Sequence, residues 1–185
     1  MNWLAFAVAA WLCLGLELGL REMLHIGPQG IAPSFVVTLV VFVALNASQR
    51  ASLWAAIVLG VLTDLTGSIT TLPRGTTLLI GPHAVGFVIG AQAVLALRGM
   101  VVSRNPVAMG VLAMLVGVIS SIIVVAFLTV HKLIGDPIVW EPTQRLLDGL
   151  LNAAFTGIVA SVLAIALIPM SGLFGFPQSH RRFGH

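Results

Sequence analysis

The chain has 185 residues, of which 58% are hydrophobic and 8% are charged, and its mean hydropathy is +1.08. A soluble domain typically carries about 25% charged residues, so this composition excludes a water-facing surface and requires that most of the surface meets lipid. The net charge of +3 does not indicate a nucleic-acid partner, because the nine Lys and Arg residues are scattered between apolar runs and form no basic footprint.

Six apolar runs follow one another along the chain, and each approaches the roughly 20 residues that cross a bilayer. They are residues 3–20, 31–45, 51–65, 82–97, 106–127 and 146–168. The sequence therefore predicts an all-α integral membrane protein, a bundle of about six transmembrane helices with a short third segment. In this prediction residues 1–170 form a single polytopic membrane domain, and residues 171–185 form a short basic cytoplasmic tail.

The first run lies where a secretory signal would lie, but it lacks the basic residues that precede a signal's apolar stretch. We therefore expect it to be retained as a helix. Six crossings place both termini on one side of the membrane. The side with the termini then holds five basic residues, and the opposite side holds four. The five are Arg50, Arg98, Arg104, Arg181 and Arg182. The positive-inside rule thus favours cytoplasmic termini.

The third run contains an acid, Asp64, in the stretch GVLTDLTGS of residues 60–68. One aspartate at a helix centre costs about 2.5 to 3.5 kcal/mol, whereas the larger apolar side chains of the run together favour insertion by roughly 3 kcal/mol. A helix over residues 51–65 spans only about 22 Å, less than the roughly 30 Å hydrocarbon core. The segment therefore needs neighbouring helices, or it enters the bilayer without fully crossing.

Gly60, Asp64 and Gly67 recur at spacings of four and three, so they share one face of a helix. Small residues let helix backbones approach closely in membranes, and Asp64 is therefore expected to face protein and not lipid. Two roles for this acid remain open. In the preferred interpretation it caps backbone amides or hydrogen-bonds to serine and threonine at the next turn; in the other it takes part in transport or proton chemistry.

The sequence shows no catalytic or metal-binding pattern. It lacks a His-Glu-x-x-His zinc site, a phosphate-binding P-loop and a Gly-x-Ser-x-Gly nucleophile turn, so no enzyme activity, metal or cofactor is expected. His83, just inside the fourth helix, is interpreted as a polar start residue. Glu17 is expected to pair with Arg21 as ordinary solvated helix-end chemistry. Two glycine repeats are expected to make helix contacts within the protein, Gly15 with Gly19 and Gly86 with Gly90.

The stretch GVLTDLTGS and the later stretch IGPHAVGFVIGAQAVLALR resemble the signature region of the rod shape-determining protein MreD family. The residues that carry the resemblance are Gly60, Asp64, Gly67, Gly81, His83, Ala84 and Arg98. The length, the six segments and the charge-poor loops are similar across nearly the whole chain. The chain departs from the family pattern at residues 68–80, where the connection is longer and contains an additional LPRGTT.

The resemblance implies a non-catalytic scaffold subunit of the bacterial cell-elongation machinery, which supports rod shape and lateral-wall peptidoglycan synthesis. The implied location is the bacterial cytoplasmic (inner) membrane, where the chain contacts membrane lipids. The implied partners are an MreC-like bitopic protein and the peptidoglycan polymerase and transpeptidase of the elongation complex. The candidates for structural or partner contacts are Gly60, Asp64, Gly67, Gly81 and His83.

A small-molecule carrier is the alternative, similar to the vitamin-binding subunits of energy-coupling-factor transporters, which also use six helices. A carrier needs a pocket with several convergent polar groups. The polar residues that could converge are Asp64, Gln92, Ser120 or Ser121, and Asn152. They lie on four different segments, and no sequence spacing brings them together.

Overall fold

The structure is a computed structural model that describes residues 1–24, 30–67, 69–71, 75–77, 79–101, 105–134 and 141–176. Six helices account for most of these residues, which confirms the predicted all-α membrane bundle. The helices are α1 (Trp3–Leu24), α2 (Phe35–Asn46), α3 (Gln49–Thr66), α4 (Pro82–Leu97), α5 (Pro106–Ile134) and α6 (Pro142–Leu167). A short 3-10 helix, Pro169–Gly172, follows α6.

The long connection between α3 and α4 contains a small hairpin that the apolar pattern did not predict. Strands β1 (Ile69–Thr71) and β2 (Gly75–Thr77) pair in antiparallel fashion, with Thr70 opposite Thr76. A hairpin returns the chain to the place where it left, so the extra residues of this connection do not separate the end of α3 from the start of α4.

Helix α2 lies at the centre of the bundle and packs against each of the other five helices. Of its 12 residues, those from Phe35 to Leu45 are all buried, as expected for a helix that is apolar on every side. Twelve helical residues span only about 18 Å, less than the roughly 30 Å hydrocarbon core. An end of α2 therefore lies inside the bundle, away from the membrane surface.

The helices differ in their capacity to span a membrane. By length and composition, α1, α5 and α6 are long and apolar enough to cross, whereas α2 and α4 are shorter apolar helices. Because hydrocarbon supplies no hydrogen-bond partner, the free amides at a helix start that lies within the bundle must find acceptors on other helices. The starts of α2 and α4 are thus the places where the fold needs polar side chains.

Glycine-mediated contacts bring three of the helices close together. A Cβ atom built on Gly86 of α4 would lie 2.9 Å from Cα of Ser120 on α5, and one on Gly90 would meet Val116. Between α5 and α6, Gly110 faces the backbone of Gly157. For the other repeat the prediction of an internal contact is wrong, since a Cβ on Gly15 or Gly19 would meet no atom of the described residues within 4 Å. Both lie on an exposed part of α1.

The two ends of the described chain meet at one end of the bundle. The Asn2 amide donates a hydrogen bond to the Phe174 carbonyl over 2.8 Å, and Phe174 and Phe176 pack edge-on against Phe42 of α2. The first part of the predicted tail thus packs on the bundle as far as Phe176. The rest of that tail, with its two arginines, lies outside the described residues.

Candidate functional site

Asp64, near the end of α3, caps the start of α4. Its side chain is buried, and its carboxylate accepts hydrogen bonds from the backbone amides of Gly81 (2.8 Å), His83 (3.1 Å) and Ala84 (3.3 Å). It also lies 2.7 Å from Nδ1 of His83. Pro82 has no amide hydrogen to satisfy, and the Val85 amide already bonds to the Gly81 carbonyl. One carboxylate therefore satisfies the amides that the start of α4 leaves free.

This capping group comes from another helix because the residue at the usual capping position has no side chain. Gly81 precedes the first residue of α4 and has a φ of 131°, which side-chain-bearing residues rarely adopt. A serine or aspartate at this position would normally accept the amide hydrogen bonds. Asp64 takes over that role from α3 and so ties the two helices together.

Gly60 allows the close approach that this cap requires. It lies one helical turn before Asp64, and a Cβ atom built on it would overlap the backbone of Ala84. Small residues permit such backbone contact between membrane helices. Gly60, Asp64, Gly81 and His83 are thus brought together at one junction, and Gly67 lies at the exposed C-terminal end of α3.

A second acid, Glu17 of α1, caps the start of the central helix. Its carboxylate accepts a hydrogen bond from the Val36 amide over 3.0 Å and from the Ser34 hydroxyl over 3.1 Å. The expectation of ordinary solvated helix-end chemistry for Glu17 is therefore wrong. The side chain of Arg21, its expected partner, lies outside the described part of the structure. The sequence signal was Ser34, a typical capping residue directly before an apolar run.

Helix α6 supplies further acceptors to the segment that leads into α2. The Asn152 side-chain oxygen accepts a hydrogen bond from the Ala32 amide over 2.8 Å, and the Thr156 hydroxyl accepts one from the Ser34 amide over 2.9 Å. Thr156 in turn donates to the Asn152 carbonyl of its own helix. The start of the central helix is therefore held from both sides, by α1 and by α6.

A polar cavity of about 420 Å³ lies between these two capped helix starts. Its polar lining includes Glu17, His83, Ser120, Ser121, Arg145 and Asn152. The structure thus brings together three of the polar residues that sequence spacing could not connect, Asn152 and both serines. Asp64 lies behind the wall and contacts the cavity through His83, and Gln92 is exposed elsewhere on α4. Among the residues described, no group of three or more potential metal ligands is found.

These features define a polytopic α-helical membrane protein in which carboxylates from neighbouring helices cap two short inner helices. A sequence model of the family described as rod shape-determining protein MreD matches residues 2–166, essentially the whole chain. The chain belongs to the MreD family and is a rod shape-determining membrane protein, which confirms the resemblance seen in the sequence. No curated protein and no solved structure matches it.

Proposed function

We propose that this protein is a non-catalytic scaffold subunit of the bacterial cell-elongation machinery, where it supports rod shape and lateral-wall peptidoglycan synthesis. The observation that carries the proposal is the match to the MreD family over residues 2–166. The geometry is consistent with it, because the acids of α1 and α3 hold helix starts in place. Residues used in this way stabilise a shape that partners can recognise.

The proposed location is the bacterial cytoplasmic membrane, with both termini on the cytoplasmic side. The contact between Asn2 and Phe174, which brings the two ends of the described chain to one end of the bundle, supports a common side. The small excess of arginines on that side favours the cytoplasm. The capped starts of α2 and α4 then lie toward the extracytoplasmic side, because both helices run back toward the termini.

The proposed partners are an MreC-like bitopic protein and, through the wider complex, a peptidoglycan polymerase and a transpeptidase. Large apolar side chains cover the outer faces of the bundle, where they meet membrane lipids and are available to partner helices. On α1, Leu4 and Trp11 are 76% and 74% exposed, and on α6 Ile158 is 66% exposed. Membrane helices associate through such surfaces by close packing.

Asp64 and its neighbours are proposed to act on partner binding indirectly. The carboxylate is buried and saturated by the start of α4, so it is a positioning residue for that helix. Removing it should weaken assembly with the bitopic partner because α4 is displaced. We expect co-purification of the MreC-like protein in detergent to fall for Asp64→Ala and to persist for Thr66→Ala, an exposed neighbour on the same helix.

Affinity capture from the native host tests the scaffold function. The tagged chain is extracted in detergent, and the proteins that co-purify with it are identified. The control is the set of proteins that co-purify with a tagged, unrelated six-helix membrane protein. We expect enrichment of a bitopic MreC-like protein and loss of rod shape when the chain is depleted. Depleted cells that keep their shape, together with capture of no bitopic protein, would contradict the proposal.

A small-molecule carrier is the second candidate function, and the polar cavity favours it. Sites for small ligands are typically about 300 to 1,000 Å³ and contain a few convergent polar groups. A thermal-shift screen with vitamins tests this function, since a ligand at 100 times its Kd stabilises a protein by about 2.7 kcal/mol. A screen without any shift would remove vitamins as substrates.

A further inference from the structure

The cavity between the capped helix starts has polar groups that the capping network does not use. On α6, Arg145, Gly149 and Asn152 follow one another at spacings of four and three and share one face of the helix. All three line the cavity, as do Ser120 and Ser121 of α5. Gly149 has no side chain, which lets Ser121 of α5 approach closely, since a Cβ atom built on Gly149 would lie 2.7 Å from the Ser121 hydroxyl oxygen.

Most of the acceptors in the cavity wall are already occupied. The Asn152 side-chain oxygen is bonded to the Ala32 amide, and the Thr156 hydroxyl is bonded to the Ser34 amide. The Glu17 carboxylate is bonded to Ser34 and Val36. These bonds hold the helix starts, so these three acceptors already serve the fold.

Three donors in the wall have no such partners. Within the described part of the chain, no hydrogen bond or ion pair is formed by the Arg145 guanidinium, the Asn152 side-chain nitrogen or the Ser121 hydroxyl. Among the described residues, the wall holds one cation, Arg145, and one carboxylate, Glu17, and the carboxylate is engaged with the start of α2. The groups that remain for a ligand are therefore a cation and donors, which match a ligand group with several acceptor oxygens and a negative charge.

We infer that this cavity binds a small molecule that carries an oxyanion, a carboxylate or phosphate, at the Arg145 guanidinium, with Asn152 and Ser121 as further donors in the wall. Arg is suited to this recognition because its planar guanidinium pairs with oxyanions through two parallel hydrogen bonds. The oxyanion belongs either to a free solute or to a lipid headgroup. The inference deepens the second candidate function and does not depend on the scaffold function.

Thiol labelling tests the charge preference of the cavity with the full chain in lipid nanodiscs. Cys13, the only cysteine, is first replaced in Cys13→Ser, and Ser121→Cys then places a single thiol in the cavity wall. Two methanethiosulfonate reagents of similar size serve as probes, one with a sulfonate and one with a trimethylammonium group. Ile122→Cys is the matched control, because this neighbour on α5 is 51% exposed on the outer apolar surface.

We expect the sulfonate reagent to label Ser121→Cys about fivefold or more faster than the cationic reagent, since a nearby unpaired cation attracts the anion in a partly desolvated cavity. The preference should disappear in Arg145→Gln, a change at an exposed residue that leaves the capping network intact. It should also fall in Asn152→Asp, which keeps the oxygen that accepts the Ala32 amide. Ile122→Cys should show no preference for the anion.

Competition then identifies the source of the oxyanion. Protection of Ser121→Cys by sodium citrate or sodium phosphate, relative to sodium chloride at equal ionic strength, indicates a free solute. Protection only in phosphatidylglycerol nanodiscs, relative to phosphatidylcholine nanodiscs, indicates a lipid headgroup. Protection by neither, equal labelling by both reagents, or a preference that survives Arg145→Gln overturns the inference. If the labelling results support the oxyanion site but vitamins give no thermal shift, the site is retained and only the vitamin-carrier function is rejected.

Discussion

Replacement of Asp64 by alanine should destabilise the protein more than any change at a neighbouring polar residue of α3. The substitution removes the acceptor of three backbone amides and of the His83 ring. One helix cap is worth about 1 kcal/mol, and hydrogen bonds to a charged group are worth about 1.5 to 3 kcal/mol each. These effects overlap, so we expect a loss of about 3 to 5 kcal/mol.

The loss should be visible as a lower melting temperature in detergent, followed by intrinsic tryptophan fluorescence. For a chain of this size, 1 kcal/mol corresponds to about 2 to 4 °C, so Asp64→Ala should melt about 10 °C below the wild type. Asp64→Asn keeps one acceptor oxygen and should lose about half as much. Thr66→Ala is the control, since Thr66 is exposed and its hydroxyl donates to the Thr63 carbonyl of its own helix. Equal melting temperatures for Asp64→Ala and Thr66→Ala would refute the capping role of Asp64.

Three other substitutions test separate contacts. Gly60→Ala should lower the stability by about 1 to 3 kcal/mol in a thermal melt, because the new methyl group would overlap the backbone of Ala84. Gly67→Ala should be tolerated. Equal melting temperatures for the two variants would contradict the close approach of α3 and α4. Glu17→Ala should lower the stability by about 2 kcal/mol, because it removes the charge-assisted cap of the central helix. Unchanged stability would show that α2 does not need this acid. Asp148→Asn should stabilise the protein by about 1 kcal/mol, since one Asp148 carboxylate oxygen is buried without a partner among the described residues; a destabilised variant would indicate that the acid is used elsewhere.

The apolar pattern and its breaks defined the helices well. The predicted fourth segment coincides with α4, which begins at Pro82 and ends at Leu97. A proline fits the first turn of a helix and rarely its interior, so the residues around Pro82 are enough to predict this helix start. The later helices extend beyond their apolar runs, to Ile134 in α5 and back to Pro142 in α6, because polar residues at helix ends interrupt the apolar pattern without ending the helix.

The sequence by itself determined that the chain is a membrane bundle and that Asp64 had to face protein, since one carboxylate cannot be left in hydrocarbon at low cost. Only the tertiary structure decided which groups the acids serve. Helix α2 is short and central, so its start needs Glu17 from α1, and Gly81 offers α4 no side-chain cap, so Asp64 from α3 replaces it. These are contacts between residues distant in sequence. They depend on where short helices end inside the bundle, a property that no local pattern of residues records.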